Sequence, residues 1–196
     1  MSALLAALQP HAFDAHPLGG LLANGVMAWG LVACGAAQLS KLLIELVQHR
    51  RWRPAVLFET GGMPSSHSAL MTGTAAGIGW QLGFADPLFA LAAALCFVVL
   101  YDASGVRRAA GRISERVNAL PPQLWQPQPA PGPAGAALPP LDLPPLKENL
   151  GHTKLEVLIG SVMGPAVALP GLALLGSPLD LLARLAPVLA ATLAPG

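Results

Sequence analysis

The chain has 196 residues, 54% hydrophobic and only 11% charged, with a net charge of +1 and a mean hydropathy of +0.57. That is too apolar and too poor in charge for an ordinary water-soluble domain, and it reads as a small integral membrane protein. With a near-neutral balance and 5% aromatic residues there is no basic, stacking surface for nucleic acid, and the two cysteines, each inside an apolar run, imply neither a disulfide framework nor a metal site.

Residues 1–17 form a short amino-terminal segment in which Met1 to Gln9 is apolar but lacks the basic flank of a secretory signal, so an interfacial or loosely ordered start is expected. Residues 18–196 are expected to form a single membrane-embedded helical domain. A spanning helix needs about 20 largely apolar residues. The first such run is Leu18 to Leu39, continuing as a more polar helix to Val47, and the second is Ser66 to Phe84. Pro87 to Tyr101 is short for a span, so it is predicted to extend into Asp102 to Arg116 or to tilt. The fourth run, Glu156 to Leu175, carries Pro165 and Pro170, which neighbouring helices accommodate. The last, Leu179 to Ala194, is borderline. Between the third and fourth, Pro121 to Pro145 holds ten prolines in twenty-five residues, which predicts a flexible, disordered loop. The fold class is therefore all-α: an integral membrane helical bundle with four to five transmembrane helices.

Charge placement predicts the topology. Arg50, Arg51 and Arg53 follow the first span, and Arg107, Arg108, Arg112, Arg116, Lys147 and Lys154 lie between the third and fourth, whereas Gln81 to Asp86 carries no Lys or Arg. The positive-inside rule then puts the first and third connections in the cytoplasm, at an inner or plasma membrane.

Three polar clusters fall at span ends on that same side: Pro64 to Ser68, Tyr101 to Arg108, and Lys147 to Glu156. In the first, a proline and serines at a helix start leave free N–H groups that favour an anion such as phosphate, and His67 is placed to donate a proton. A plain helix start is the competing reading of that string. In the second, Arg107 and Arg108 suit bidentate phosphate binding or simple anchoring at the headgroups, Asp102 is placed to orient one of them, and Gly105 permits close backbone approach. In the third, His152 and Glu156 are four apart, so the carboxylate can orient the imidazole for nucleophilic or base chemistry. The alternative is that Thr153 to Glu156 is a capping box and Glu156 only satisfies backbone N–H groups. On the first helix, Gln38, Lys41 and Glu45 share a face; Lys41 either reaches a phosphate, pairs with Glu45 or snorkels to the interface.

The strings GGMPSSHSA, YDASGVRRAAG and LKENLGHTKLEVLIG, in this order, resemble the divergent branch of the type 2 phosphatidic acid phosphatase superfamily, relatives of bacterial acid phosphatases and vanadium-dependent haloperoxidases. The resemblance covers Gln38 to Gly164 apart from the proline-rich stretch. It implies a helical-bundle phosphatase that works without a metal or other cofactor, with His152 as nucleophile, Glu156 beside it, His67 as acid for the leaving group, and Lys and Arg residues around the phosphate; the residues expected to bind the phosphate in this chain are Ser65, Ser66, Arg107, Arg108 and Lys41. Two departures stand out: the superfamily's first motif has a lysine where this chain has Leu46, and its third an arginine where this chain has Leu146. Lys41, Arg107, Arg108 or Lys147 would have to replace those charges.

The expected activity is hydrolysis of a lipid or polyprenyl phosphate monoester or pyrophosphate, with a phosphorylated amphiphile and membrane lipids as partners and the oligomeric state open. The alternative is a non-catalytic scaffold that binds phosphate or a phospholipid headgroup. A transporter is less well supported, because the polar residues cluster at one face.

Overall fold

The computed structural model describes residues 17–57, 61–121 and 144–193, and every regular element among them is helical. In chain order these are α1 (Pro17–Ala23), α2 (Gly25–His49), a 3-10 turn (Pro54–Leu57), α3 (Ser66–Leu82), α4 (Pro87–Ser104), α5 (Val106–Asn118), α6 (Lys154–Leu174) and α7 (Pro178–Leu193). The expectations for Met1 to Gln9 and for all but the ends of the proline-rich stretch lie outside the described residues.

Local chemistry sets the boundaries. The first expected span is broken near its start, because the Asn24 side chain accepts the Met27 N–H at 2.9 Å and begins a new helix. Asp86 caps α4 by accepting from Leu88 N, with Pro87 at the first helical position. The third run does extend as expected: α4 turns at Gly105 and resumes as α5. Pro165 and Pro170 both lie inside α6.

Among the described residues, three helical stretches are long and apolar enough to cross a membrane, fewer than the four to five expected: Gly25–His49, Pro87–Asn118 and Lys154–Leu174. The expected second span falls short because α3 has only 17 residues, about 25 Å against a hydrocarbon core of about 30 Å. The last expected span is the 16-residue α7, which also carries Asp180 and Arg184.

The short α3 is the helix around which the others gather, packing against α2, α4 and α6. The core is made of small residues, with Ala33, Ala37 and Ala69 fully buried, while Leu43, Phe97, Leu158 and Val162 face outward. This distribution suits lipid, where burying a leucine gains little and helices associate through close packing of small side chains. The closest approach is between α3 and α6. A Cβ on Gly160 would collide with the Ser65 carbonyl oxygen, and one on Gly164 would stand 2.5 Å from Ala69 O and 2.7 Å from Gly73 N. Of the glycines on α3, Gly73 meets Gly164, Gly77 meets Val26 and Leu172, and Gly79 meets Phe84 and Phe89, so all three serve packing within the chain.

Candidate functional site

The three polar clusters meet at one end of the bundle. The start of α3 is tied to the start of α6 by Ser65 N donating to the Glu156 carbonyl at 3.1 Å, and the segment before α6 is tied to the end of α4 by His152 N donating to Ala103 O at 2.9 Å. Gly151 makes the second junction possible. It has φ +75°, and a Cβ there would lie 2.7 Å from the Arg107 carbonyl carbon and 2.8 Å from Ala103 O. The sequence reading gave Gly151 no role; its position directly before His152 was the available signal.

His152 and Glu156 bring the two competing readings of their spacing together. Thr153 and Glu156 form a complete capping box, the Thr153 hydroxyl accepting from Glu156 N and the carboxylate accepting from Thr153 N, both at 3.2 Å. The same carboxylate oxygen, Oε2, lies 2.9 Å from His152 Nδ1. One carboxylate therefore ends the helix and holds the ring. With Nδ1–H donated to Glu156, the lone pair of His152 is on Nε2. His152 is buried, at 4% exposure, so its ring orientation is held by packing as well as by the carboxylate.

Two cavities share Leu150 and Gly151 as a wall. One, of about 210 Å³, is lined by His67, Val98, Val99, Asp102, Ala103, Arg107 and His152. The other, of about 270 Å³, is lined by Glu45, Arg53, Val56, Gly61, Gly62, Arg108, Asn149 and Glu156. The adjacent arginines are thus separated: Arg107 belongs to the histidine cavity and Arg108 to the outer polar one. Arg107 Nε also bonds Asp102 Oδ2 at 2.5 Å, the orienting pair anticipated from sequence. His67 lies within electrostatic reach of His152, Arg107 and Lys41.

Lys41 continues the buried stripe of α2 after Gly30, Ala33 and Ala37 and is only 4% exposed, so it points into the bundle instead of reaching the interface. Its stem passes Gly62, and it lies within electrostatic reach of Glu156. Glu45 pairs with His49, at 3.2 Å.

The remaining anticipated residues are placed less favourably for touching a ligand. Ser65 is fully buried, its hydroxyl oxygen accepting from Ser68 N at 3.3 Å and from Ser68 Oγ at 2.9 Å, which makes it the cap of α3. Ser66 is 3% exposed. Gly105 lines neither cavity and sits at the α4–α5 turn, and Lys147 is exposed and also lines neither. Arg53, Glu45 and Asn149 line the outer cavity without having been singled out as site residues; the Arg53-Pro54 pair was the usable signal for the first. Among the described residues, no group of three or more His, Cys, Asp or Glu side chains is arranged to hold a metal ion.

The sequence profile of the Divergent PAP2 family matches residues 22–167, a range that contains every residue lining the two cavities. The membrane protein YuiD of Bacillus subtilis (strain 168), itself described as uncharacterized, is 33% identical over 144 residues, 74% of this chain and 91% of that protein. No solved structure gives a significant match.

Proposed function

The chain belongs to the Divergent PAP2 family, and from that membership we propose that it is a membrane phosphatase acting on a lipid or polyprenyl phosphate or pyrophosphate through a histidine nucleophile. One observation carries this reading: His152, held through Nδ1 by Glu156, lines the same cavity as His67 and Arg107. In the proposed reaction His152 Nε2 attacks phosphorus, the P–O ester bond breaks, and His67 gives its proton to the leaving oxygen. Water, deprotonated by His67, then attacks the phosphohistidine, breaking the P–N bond and releasing phosphate. The Ser65 N–H is already committed to Glu156 O, so the N–H groups of Ser66 and His67, which have no intrahelical acceptor, together with Arg107 and Lys41 would carry the charge on the equatorial oxygens. The site would face the cytoplasm, following the distribution of Lys and Arg between the helices.

The test is phosphate release by the detergent-purified protein, with no metal added, from a panel of lipid and soluble phosphates. Release from the amphiphilic members supports the reading; a folded protein that releases none across the panel overturns it. The second reading, a non-catalytic phosphate or headgroup scaffold, is favoured by Leu46 and Leu146, which are 40% and 47% exposed and line neither cavity where the wider superfamily carries cations. It predicts phosphate binding that depends on Arg107 with no product formed.

Glu156→Gln separates the two duties of Glu156. Glutamine at the third helical position keeps the capping box, so the melting temperature is expected to hold, whereas phosphate release should fall by about 10²-fold as the ring loses its anionic partner. Loss of stability and activity together would show that Glu156 serves only as a cap.

A further inference from the structure

One face of α5 stays bare while another holds the segment that leads to His152. The 18 residues of α4 rise about 27 Å, close to the thickness of the hydrocarbon core, so the turn at Gly105 falls near its edge and α5 starts there. At about 100° per residue, Val106, Ala110, Ile113 and Val117 form one apolar stripe of α5. Val106 and Ile113 are 62% and 60% exposed. Arg112 and Arg116 flank the stripe on one side, exposed and without an ion pair among the described residues, while Glu115, the one acidic residue of the helix, falls on the side away from it.

The other face is occupied by a strap. The Asn118 amide clasps Leu146, donating to its carbonyl at 2.8 Å and accepting its N–H at 2.9 Å, and donates to Glu148 Oε1 at 2.8 Å as well. Two turns earlier Gly111 is buried, and a Cβ there would stand 2.6 Å from Glu148 O and 2.9 Å from Leu150 O. With Gly151 against the Arg107 and Arg108 backbone and His152 bonded to Ala103, residues 146–152 run antiparallel to α5, from its end back to α4. At the same end of the bundle Trp52 is 70% exposed between Arg51 and Arg53, and Arg53 shares the outer cavity with Arg108.

We propose that the bare face of α5 lies in the bilayer interface, its apolar stripe among the acyl chains and Arg112 and Arg116 on the phosphates of anionic lipids, and that this contact steadies the strap carrying His152. Charge selects the occupant. The stripe alone would suit any apolar surface, but exposed guanidinium groups on its flank, with their stems lying along it, complement anionic headgroups. A helix of this kind pointing into water would hold Val106 and Ile113 in water; laid along the interface it gives them to lipid. Trp52, flanked by arginines, is the residue type that settles at the headgroup level. The lipid contact does not rest on the phosphatase reading; only an effect on turnover does.

The test is hydrogen exchange of the full chain, one copy per lipid nanodisc, in discs of phosphatidylcholine alone and in discs made half of phosphatidylglycerol. Exchange over α5 and residues 146–152 is expected to be slower in the anionic discs by about fivefold or more, while α3 exchanges alike in both. High salt should remove the difference. The pair Arg112→Gln and Arg116→Gln should abolish it with α3 unchanged, and Glu115→Gln should keep it. A spin label at Ile113→Cys, with Cys34→Ala and Cys96→Ala, is expected to be reached more readily by oxygen than by a water-soluble nickel chelate. Equal exchange in the two kinds of disc overturns the proposal, as does a label reached more readily by the chelate; the stripe is then left for a protein partner or a second copy. Anion-dependent exchange without phosphate release counts against the phosphatase reading only.

Discussion

His152→Ala is expected to lower phosphate release by about 10³-fold or more, because it removes the group proposed to form the bond to phosphorus. The loss should be in turnover, since Arg107, which lines the same cavity, is left in place. His67→Ala is expected to cost less on a substrate with a good leaving group, such as an aryl phosphate, than on an alkyl phosphate, because only the latter needs a proton on the departing oxygen. Initial rates of phosphate release from both substrates, with the melting temperature measured on the same preparations, check this. Activity that survives both substitutions would remove the histidine mechanism.

The second large effect concerns the fold. Gly164→Leu is expected to destabilise the bundle by about 3 kcal/mol or more, because a Cβ at that position would press on Ala69 O and Gly73 N, backbone atoms that cannot turn aside. In a chain of this size that corresponds to a melting temperature lower by roughly 6 °C or more. Gly35→Leu is the matched control: a Cβ there meets nothing within 4 Å, so its melting temperature should match the wild type or exceed it. Gly164→Leu should also disturb the site, since α3 and α6 carry His67 and Glu156 and are tied by Ser65 and Glu156 at their starts. A Gly164→Leu protein as stable as Gly35→Leu would mean that the α3–α6 contact is looser than the structure describes.

Several features of the site are legible in the chain because they are local. The four-residue spacing of His152 and Glu156 puts the carboxylate on the ring, and the capping box is written in Thr153 to Glu156. The Asp102–Arg107 pair bridges one helical turn and a bend. Lys41 could not be assigned in that way. Helical spacing offered Glu45, the membrane interface or a ligand, and only the packing of Gly30, Ala33 and Ala37 against neighbouring helices turns Lys41 inward. The adjacent arginines likewise read as one binding unit, yet Leu150 and Gly151, which come from more than forty residues downstream, form the wall that puts them in different cavities.

What the sequence by itself determined is the class and the chemistry on offer: a membrane bundle of helices with three polar strings at their ends, because composition and short-range spacing are properties of the chain alone. The structure decided how many of the described helices are long enough to cross, since α3 ends after 17 residues inside the bundle. It also decided which side chains share a cavity. The physical reason is the small-residue packing between helices: where Gly160 and Gly164 allow backbone to touch backbone, α3 and α6 are set at one distance, and the distance of His67 from His152 follows from that contact.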